Sequence, residues 1–395
     1  MKHERAACRK ALSHHADLAS VTGATPTAER KVAMSHVPAM TYPEAMVVGL
    51  IQGVTELFPV SSLGHNVLIP ALVGGSWAHD LNVSAAESPY LAFIVGLHVA
   101  TAIALLIYFW RDWVRIIRGF FTSIRDRDIS TSDQKLAWMI IVATIPVGLV
   151  GLVFEHTFRV LFGKPILAAI FLVVNGMILF SGEKFRTKKS LQADEEATEE
   201  RRLATAPVQA QPAPAAGVTA FGGLAAATDG GATVGPARRP GHGSHAAAKP
   251  DARTERAAEV AAALRADRRL SKLDYLQSAI IGTAQCLALL AGISRDGVTM
   301  VTGMFRGLAR EDAARFAFLL ATPVILAAGA LKIGDLIQRG HGIYGPILAG
   351  SILSGVGAYI SVRFLVKYFQ TRTLTPFAIY CVLFGVGSII YLQVK

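Results

Sequence analysis

Two polar interruptions sit inside otherwise apolar stretches and hold the side chains with chemistry to offer. The first reads Gln52-Gly-Val-Thr-Glu56-Leu-Phe-Pro59-Val-Ser61-Ser62-Leu-Gly64-His65. Gln52 and Glu56 are four residues apart and share one helix face. Pro59 ends that helix, which leaves Ser61 and Ser62 in a turn with His65 three residues beyond Ser62. A hydroxyl, an imidazole and a carboxylate within reach are the parts of an activated nucleophile. Ser62 could attack with Glu56 or His65 as base, His65 could attack, or Glu56 could activate water. The structural alternative is a buried Glu56–His65 pair, with Ser61 and Ser62 capping a helix. The second interruption reads Gln285-Cys-Leu-Ala-Leu-Leu-Ala291-Gly292-Ile-Ser294-Arg295-Asp296-Gly297-Val-Thr299. Arg295 supplies a planar fork suited to phosphate oxygens. Thr299 and backbone amides at a following helix start could add donors. Alternatively, Arg295 pairs with Asp296 or Glu56 and only locks two parts of the chain together.

The elements that must carry these residues are membrane helices. Of the 395 residues 52% are hydrophobic and only 17% charged, against about a quarter charged in soluble domains. Apolar runs at 91–110, 136–156, 165–182, 312–333, 344–366 and 374–392 are each close to the ~20 residues that span a bilayer. The interrupted regions, 43–74 and 275–308, read as pairs of short helices that enter the membrane and turn back, a backbone tolerated only where protein or water surrounds it. They also resemble each other: Gly49-x-x-Gln52 then Ser61-Ser62-x-Gly64, against Gly282-x-x-Gln285 then Ser294-Arg295-x-Gly297, with equal spacings. Each precedes three spans, so the fold expected is an all-α polytopic membrane protein, about six transmembrane helices plus two re-entrant pairs in an inverted repeat. Arg111, Arg115, Arg118, Arg125, Arg127 and Lys135 place the loop after the first span in the cytoplasm.

The remaining chain divides around these halves, 43–186 and 271–395. Residues 1–42 read as a disordered tail, and 187–270 as a disordered low-complexity insertion, although 253–269 could form a charged helix. The net charge of +11 fits cytoplasmic loops and lipid head groups rather than nucleic acid. Cys8, Cys286 and Cys381 are too scattered for a metal pattern or a disulfide framework. Glu311 and Arg315 read as an i,i+4 pair, with Arg315 either structural or steering an anion. His98, within the first span, reads as a satisfied core histidine.

Glu56-Leu-Phe-Pro-Val-Ser-Ser-Leu-Gly-His65 resembles the (E/Q)xxxE…PvSSxGH signature of the undecaprenyl-diphosphatase, or bacitracin-resistance, family. Gly292-Ile-Ser-Arg295 resembles its second signature, and Gly307 to Phe318 also matches. The likeness covers 43–186 and 271–393 and leaves the tail and the insertion outside. It implies a multi-pass enzyme of the bacterial inner membrane. Such an enzyme hydrolyses undecaprenyl diphosphate to undecaprenyl phosphate and phosphate, recycling the carrier for cell-wall synthesis and giving bacitracin resistance. Carried over, Gln52 and Glu56 are the (E/Q)xxxE pair, Ser62 and His65 the hydroxyl and imidazole, and Arg295 the phosphate-binding arginine, so Glu56, Ser62, His65 and Arg295 are the expected catalytic set. The two interruptions offer Gln52, Ser61, Gln285, Ser294 and Thr299 as expected substrate binders. The resemblance also implies a divalent cation, Mg²⁺ or Ca²⁺, with Gln52 and Glu56 as candidate ligands and Asp296, outside the family pattern, as a third. Gln52 stands where many members have Glu, Ala291 replaces a proline and Asp296 replaces a serine. The expected partners are the lipid substrate, membrane lipids and a second copy of the chain. The rival function, suited to inverted halves, is a lipid-phosphate transporter.

Overall fold

The computed structural model describes residues 40–81, 89–162, 164–205, 252–339 and 343–395. Among them there is helix and no strand. In chain order the helices are α1 (Tyr42–Thr55), α2 (Ser62–Val73), α3 (Gly75–Asp80), α4 (Pro89–Tyr108), α5 (Trp110–Asp126), α6 (Ser132–Phe162), α7 (Pro165–Lys184), α8 (Lys188–Thr205), α9 (Ala252–Leu270), α10 (Tyr275–Ala284), α11 (Arg295–Phe305), α12 (Arg310–Arg339), α13 (Tyr344–Tyr368) and α14 (Thr375–Val394), with a 3₁₀ turn at Gln285–Leu289. Stretches of α6, α7, α12, α13 and α14 are long and apolar enough to cross a membrane, and α4 with α5 makes a sixth candidate, bent by 85° between them. The chain is an all-α, multi-pass membrane protein.

Both interrupted regions are helix–turn–helix hairpins, and each starts the same way. Thr41 caps α1 in a reciprocal box with Glu44, and Asp274 caps α10 in the same box with Gln277. Such boxes satisfy orphan amides at a helix start. Each first helix then crosses a span on glycine. A Cβ on Gly49 would strike the Gly350 backbone of α13, and one on Gly282 would strike the Ala143 backbone of α6. Without water between helices, close backbone packing of small residues is the main attraction.

The hairpins enter from opposite faces. Thr187, just after α7, reaches the Met304 carbonyl near the end of α11, and Ser271 reaches Ser132 at the start of α6. The Leu374 amide, before α14, donates to Glu183 near the end of α7, so these ends share one face. Gly345, at the start of α13, lies against Tyr42, and Gly74, after α2, lies beside Lys395 at the chain end. These mark the other face.

Residues 1–39 and 206–251 fall outside the described residues, so the disorder expected there is not addressed. At the insertion's start the expectation of disorder fails, while the charged helix read at 253–269 is present. Residues 188–205 and 252–270 are helical as α8 and α9, and they are tied down by charge. Arg269 binds Asp312 and Glu311 of α12 and Glu200 of α8, and Arg201 binds Glu311. Burial works against the Arg269 charge, but its hydrogen bonds to Asp312 and the nearby carboxylates outweigh that and push its pKa further up. The expected Glu311–Arg315 pair is replaced: Arg315 binds Asp112 and Asp267, with its guanidinium over the Phe109 ring. Buried carboxylates on two other helices, α5 and α9, offer better partners than one neighbour on the same helix, and Arg315 ties α12 to both.

Candidate active site

The turns of the two hairpins meet inside the protein. Ser61 adopts a left-handed φ of 68° and caps α2. Its hydroxyl accepts the Gly64 amide, at 3.2 Å, and the Gly292 amide of the other turn, also at 3.2 Å. The contact demands glycine on both sides. Gly292 has φ of 111°, and a Cβ there would meet the Ala168 carbonyl, while a Cβ on Gly64 would lie 2.9 Å from the Gly292 Cα. Ser294 caps α11 just as Ser61 caps α2, its hydroxyl accepting the Gly297 amide at 3.2 Å. Asn175 of α7 ties the two together. It donates to the Pro59 carbonyl at 3.0 Å and accepts from the Ser294 amide at 2.9 Å.

Glu56 ends α1 at this junction, its side chain 7% exposed. One oxygen, Oε2, accepts from Gln52 Nε2 at 2.8 Å and from the Ser62 hydroxyl. The other, Oε1, faces Arg295 Nη2 at 3.2 Å. A hydroxyl, a carboxylate and a guanidinium from two hairpins thus lie in direct succession. Arg295 also donates to the Ala321 carbonyl of α12 at 3.2 Å, and its Nε lies 3.4 Å from Asp296 Oδ1. Arg295 Nε and both Asp296 oxygens are buried with no hydrogen-bond partner in the protein. Such groups are costly unless something else satisfies them.

The other expected site residues separate into two groups. Gln52 belongs to the centre through Glu56, but its carbonyl oxygen accepts from Asn66 Nδ2 at 2.5 Å. Ser61 and Ser294 hold turns, as described. His65 does not pair with Glu56. Its Nδ1 meets the Ser61 carbonyl and its Nε2 the Tyr380 hydroxyl, both at 2.7 Å, and its ring stacks with Tyr380 and Phe384 of α14. Thr299 donates to the Arg295 carbonyl one turn back. Gln285 reaches the Ala143 carbonyl of α6 and makes no contact with Glu56. Two residues of the site escape the sequence reading. Asn175 looks like any polar residue in a span. His98, expected to be satisfied in the core, has Nε2 3.4 Å from Glu56 Oε2.

Among the described residues no three His, Cys, Asp or Glu side chains are gathered as ligands for a cation. Gln52 turns its oxygen away, so Gln52, Glu56 and Asp296 do not form a resident cage. Glu56 and Asp296, whose oxygens accept no hydrogen bond, are the carboxylates that an ion carried on phosphate oxygens would meet at this junction, since Mg²⁺ is commonly held by one or two carboxylates plus substrate phosphates.

Fold and site together define a class: a polytopic membrane protein whose paired re-entrant turns enclose a serine, a carboxylate and an arginine. The sequence matches the profile of the family described as bacitracin resistance protein BacA over residues 45–219 and 251–387, and the chain belongs to that family. It is 52% identical over 357 residues to a protein named undecaprenyl-diphosphatase from Mycolicibacterium paratuberculosis, covering 90% of this chain and 99% of the relative. It is 52% identical over 352 residues to undecaprenyl-diphosphatase 2 of Frankia alni, covering 88% and 96%, and 35% identical to undecaprenyl-diphosphatase 2 of Chromobacterium violaceum, covering 88% and 98%. The profile takes in α8 and α9, so the family pattern reaches into the insertion on both sides, contrary to the expectation that all of 187–270 lies outside it.

Proposed function

We propose that this chain is an undecaprenyl-diphosphatase of the bacterial inner membrane, releasing phosphate from undecaprenyl diphosphate and returning undecaprenyl phosphate for cell-wall synthesis. The observation that carries the reading is the hydrogen bond from Ser62 to Glu56 beside Arg295. These are a nucleophile, its base and a cation, the parts that phosphoryl transfer needs. The Ser62 oxygen attacks the terminal phosphorus as its proton passes to Glu56. The bond from that phosphorus to the bridging oxygen breaks, and undecaprenyl phosphate leaves. Glu56 gives that proton to the departing phosphate oxygen, takes another from the water that attacks the phosphoserine, and returns it to the Ser62 oxygen as phosphate is released. Arg295 turns from Glu56 to the phosphate oxygens and stabilises the charge that gathers there. His65, held by the Ser61 carbonyl and Tyr380, keeps the turn in place.

A divalent cation, Mg²⁺ or Ca²⁺, belongs to the same reading, with Glu56 and Asp296 as its protein ligands. When bound, it neutralises part of the diphosphate charge. The polyprenyl tail lies in the apolar hollow of about 400 Å³ between α6 and α12, lined by Ile140, Ile141, Ile145, Leu149, Leu152 and Pro323. Pro323 lies on α12, the helix whose Ala321 carbonyl receives Arg295. The matching caps, glycine crossings and opposite entries support an inverted repeat, and a second copy of the chain remains a partner of this reading. The test is phosphate release from undecaprenyl diphosphate by purified protein in detergent, with and without EDTA, alongside Arg295→Ala. Release that stops with EDTA and in the variant supports the proposal. No release with any divalent cation overturns it.

A further inference from the structure

We infer that His98 is a positioning residue for Glu56 and so a part of the phosphatase site. The inference rests on the assignment of Glu56 as the base. His98 lies on α4, a helix that contributes no other side chain to the carboxylate. Its ring is fixed from behind: Nδ1 lies 2.8 Å from the Ile94 carbonyl one turn back. That contact aims Nε2 at Glu56 Oε2, 3.4 Å away. Both ring nitrogens face oxygens, the Ile94 carbonyl on one side and Glu56 on the other.

The target oxygen gives the contact its meaning. Oε2 is the atom that receives the Ser62 proton in the proposed reaction, and Gln52 also donates to it. Gln52 and Ser62 approach from Glu56's own hairpin, and Arg295 pulls on the opposite oxygen. When Arg295 turns to the phosphate, the carboxylate loses the guanidinium that fixes Oε1. Without a donor from another helix, it is then free to rotate away from Ser62. His98 Nε2, 3.4 Å from Oε2, is the group on another helix placed to hold it. Its side chain is 27% exposed against 7% for Glu56, which places it at the edge of the centre rather than in the sealed core. A histidine present only to fill the core would have no reason to turn a nitrogen toward a buried carboxylate in preference to a hydroxyl or a carbonyl. A misplaced base slows the chemical step much more than it weakens binding.

The test compares His98→Leu, which removes the donor, with His98→Gln, whose Nε2 donates from nearly the same place. Wild type and Glu56→Gln are the controls, all purified in detergent and checked for monodispersity and thermal unfolding. His98→Leu should lower kcat about 10- to 100-fold with KM within about twofold, the loss expected for a misplaced base. His98→Gln should return kcat to within about threefold of wild type, because a donor is restored. Wild-type kcat in His98→Leu overturns the inference. So does a His98→Gln variant as slow as His98→Leu, or a loss of thermal stability with kcat intact. If Glu56→Gln itself turns over normally, the base assignment fails instead. A dead Glu56→Gln beside a normal His98→Leu removes His98 alone.

Discussion

The two hairpins share a frame and divide the chemistry. Both begin in a reciprocal cap, cross a span on glycine, and turn on a serine whose hydroxyl takes an amide three residues on. In register, Ser62 of the first turn stands where Arg295 stands in the second, and Glu56 where the second has Leu289. The first hairpin offers a hydroxyl and a carboxylate, the second a guanidinium. The difference teaches that the frame is general and the reaction is not. Two similar hairpins bring their backbone turns together, and a few non-equivalent side chains make the junction asymmetric, with Ser62 and Glu56 on one side and Arg295 on the other. Buried charge at that depth is kept only where it is used or paired.

The sharpest way to break this comparison is to remove the reactive half. Glu56→Gln and Ser62→Ala should each lower kcat by about 10³-fold or more, since nucleophile and base act as one unit, with the purified proteins still monodisperse. The double variant should be little slower than either single one, which steady-state phosphate release would show. On the cationic half, Arg295→Lys keeps a charge but loses the planar fork, and kcat should fall about 10²-fold. Thermal unfolding should hardly move. If Arg295→Lys instead unfolds the protein while sparing kcat, the arginine is a lock between hairpins.

The frame itself should respond differently. Asn175 binds both turns, so Asn175→Leu strands the Pro59 carbonyl and the Ser294 amide and should cost about 1–3 kcal/mol of stability, read as a lower unfolding temperature. The smallest effect belongs to the tail. Gly148 faces open space at the hollow, so Gly148→Leu should fold normally. It should raise KM a few-fold for a long polyprenyl diphosphate, by loss of buried apolar contact, and leave a short one unchanged. Equal KM values for both would move the tail elsewhere.

Much of this was legible before any coordinates. Apolar runs of bilayer length gave the spans, and the polar breaks gave the hairpins, because charge inside such a run has no cheap explanation. The equal spacing of Gln52 and Gln285 from their serines anticipated two matching turns. What stayed hidden depends on tertiary approach. His98 and Asn175 are ordinary residues along their helices and acquire roles only where another helix crosses. His65 stands three residues from Ser62 in sequence, yet it faces Tyr380, because α2 turns it toward α14. The ordered start of the insertion, α8, and the anchoring of both its ends stay hidden for a related reason. A polar, Ala-rich composition reports the absence of an apolar core, but it cannot report that Arg269 has Asp312 and Glu311 waiting on α12.

The central claim is that both turns build one hydrolytic site. Its most direct measurement is phosphate release from undecaprenyl diphosphate by four purified proteins side by side: wild type, Ser62→Ala, Arg295→Ala and Ser61→Ala. The account predicts loss of turnover on substituting either turn's reactive residue, with monodisperse protein in both cases, and residual turnover with reduced stability in Ser61→Ala. Wild-type release by Ser62→Ala or by Arg295→Ala would contradict it.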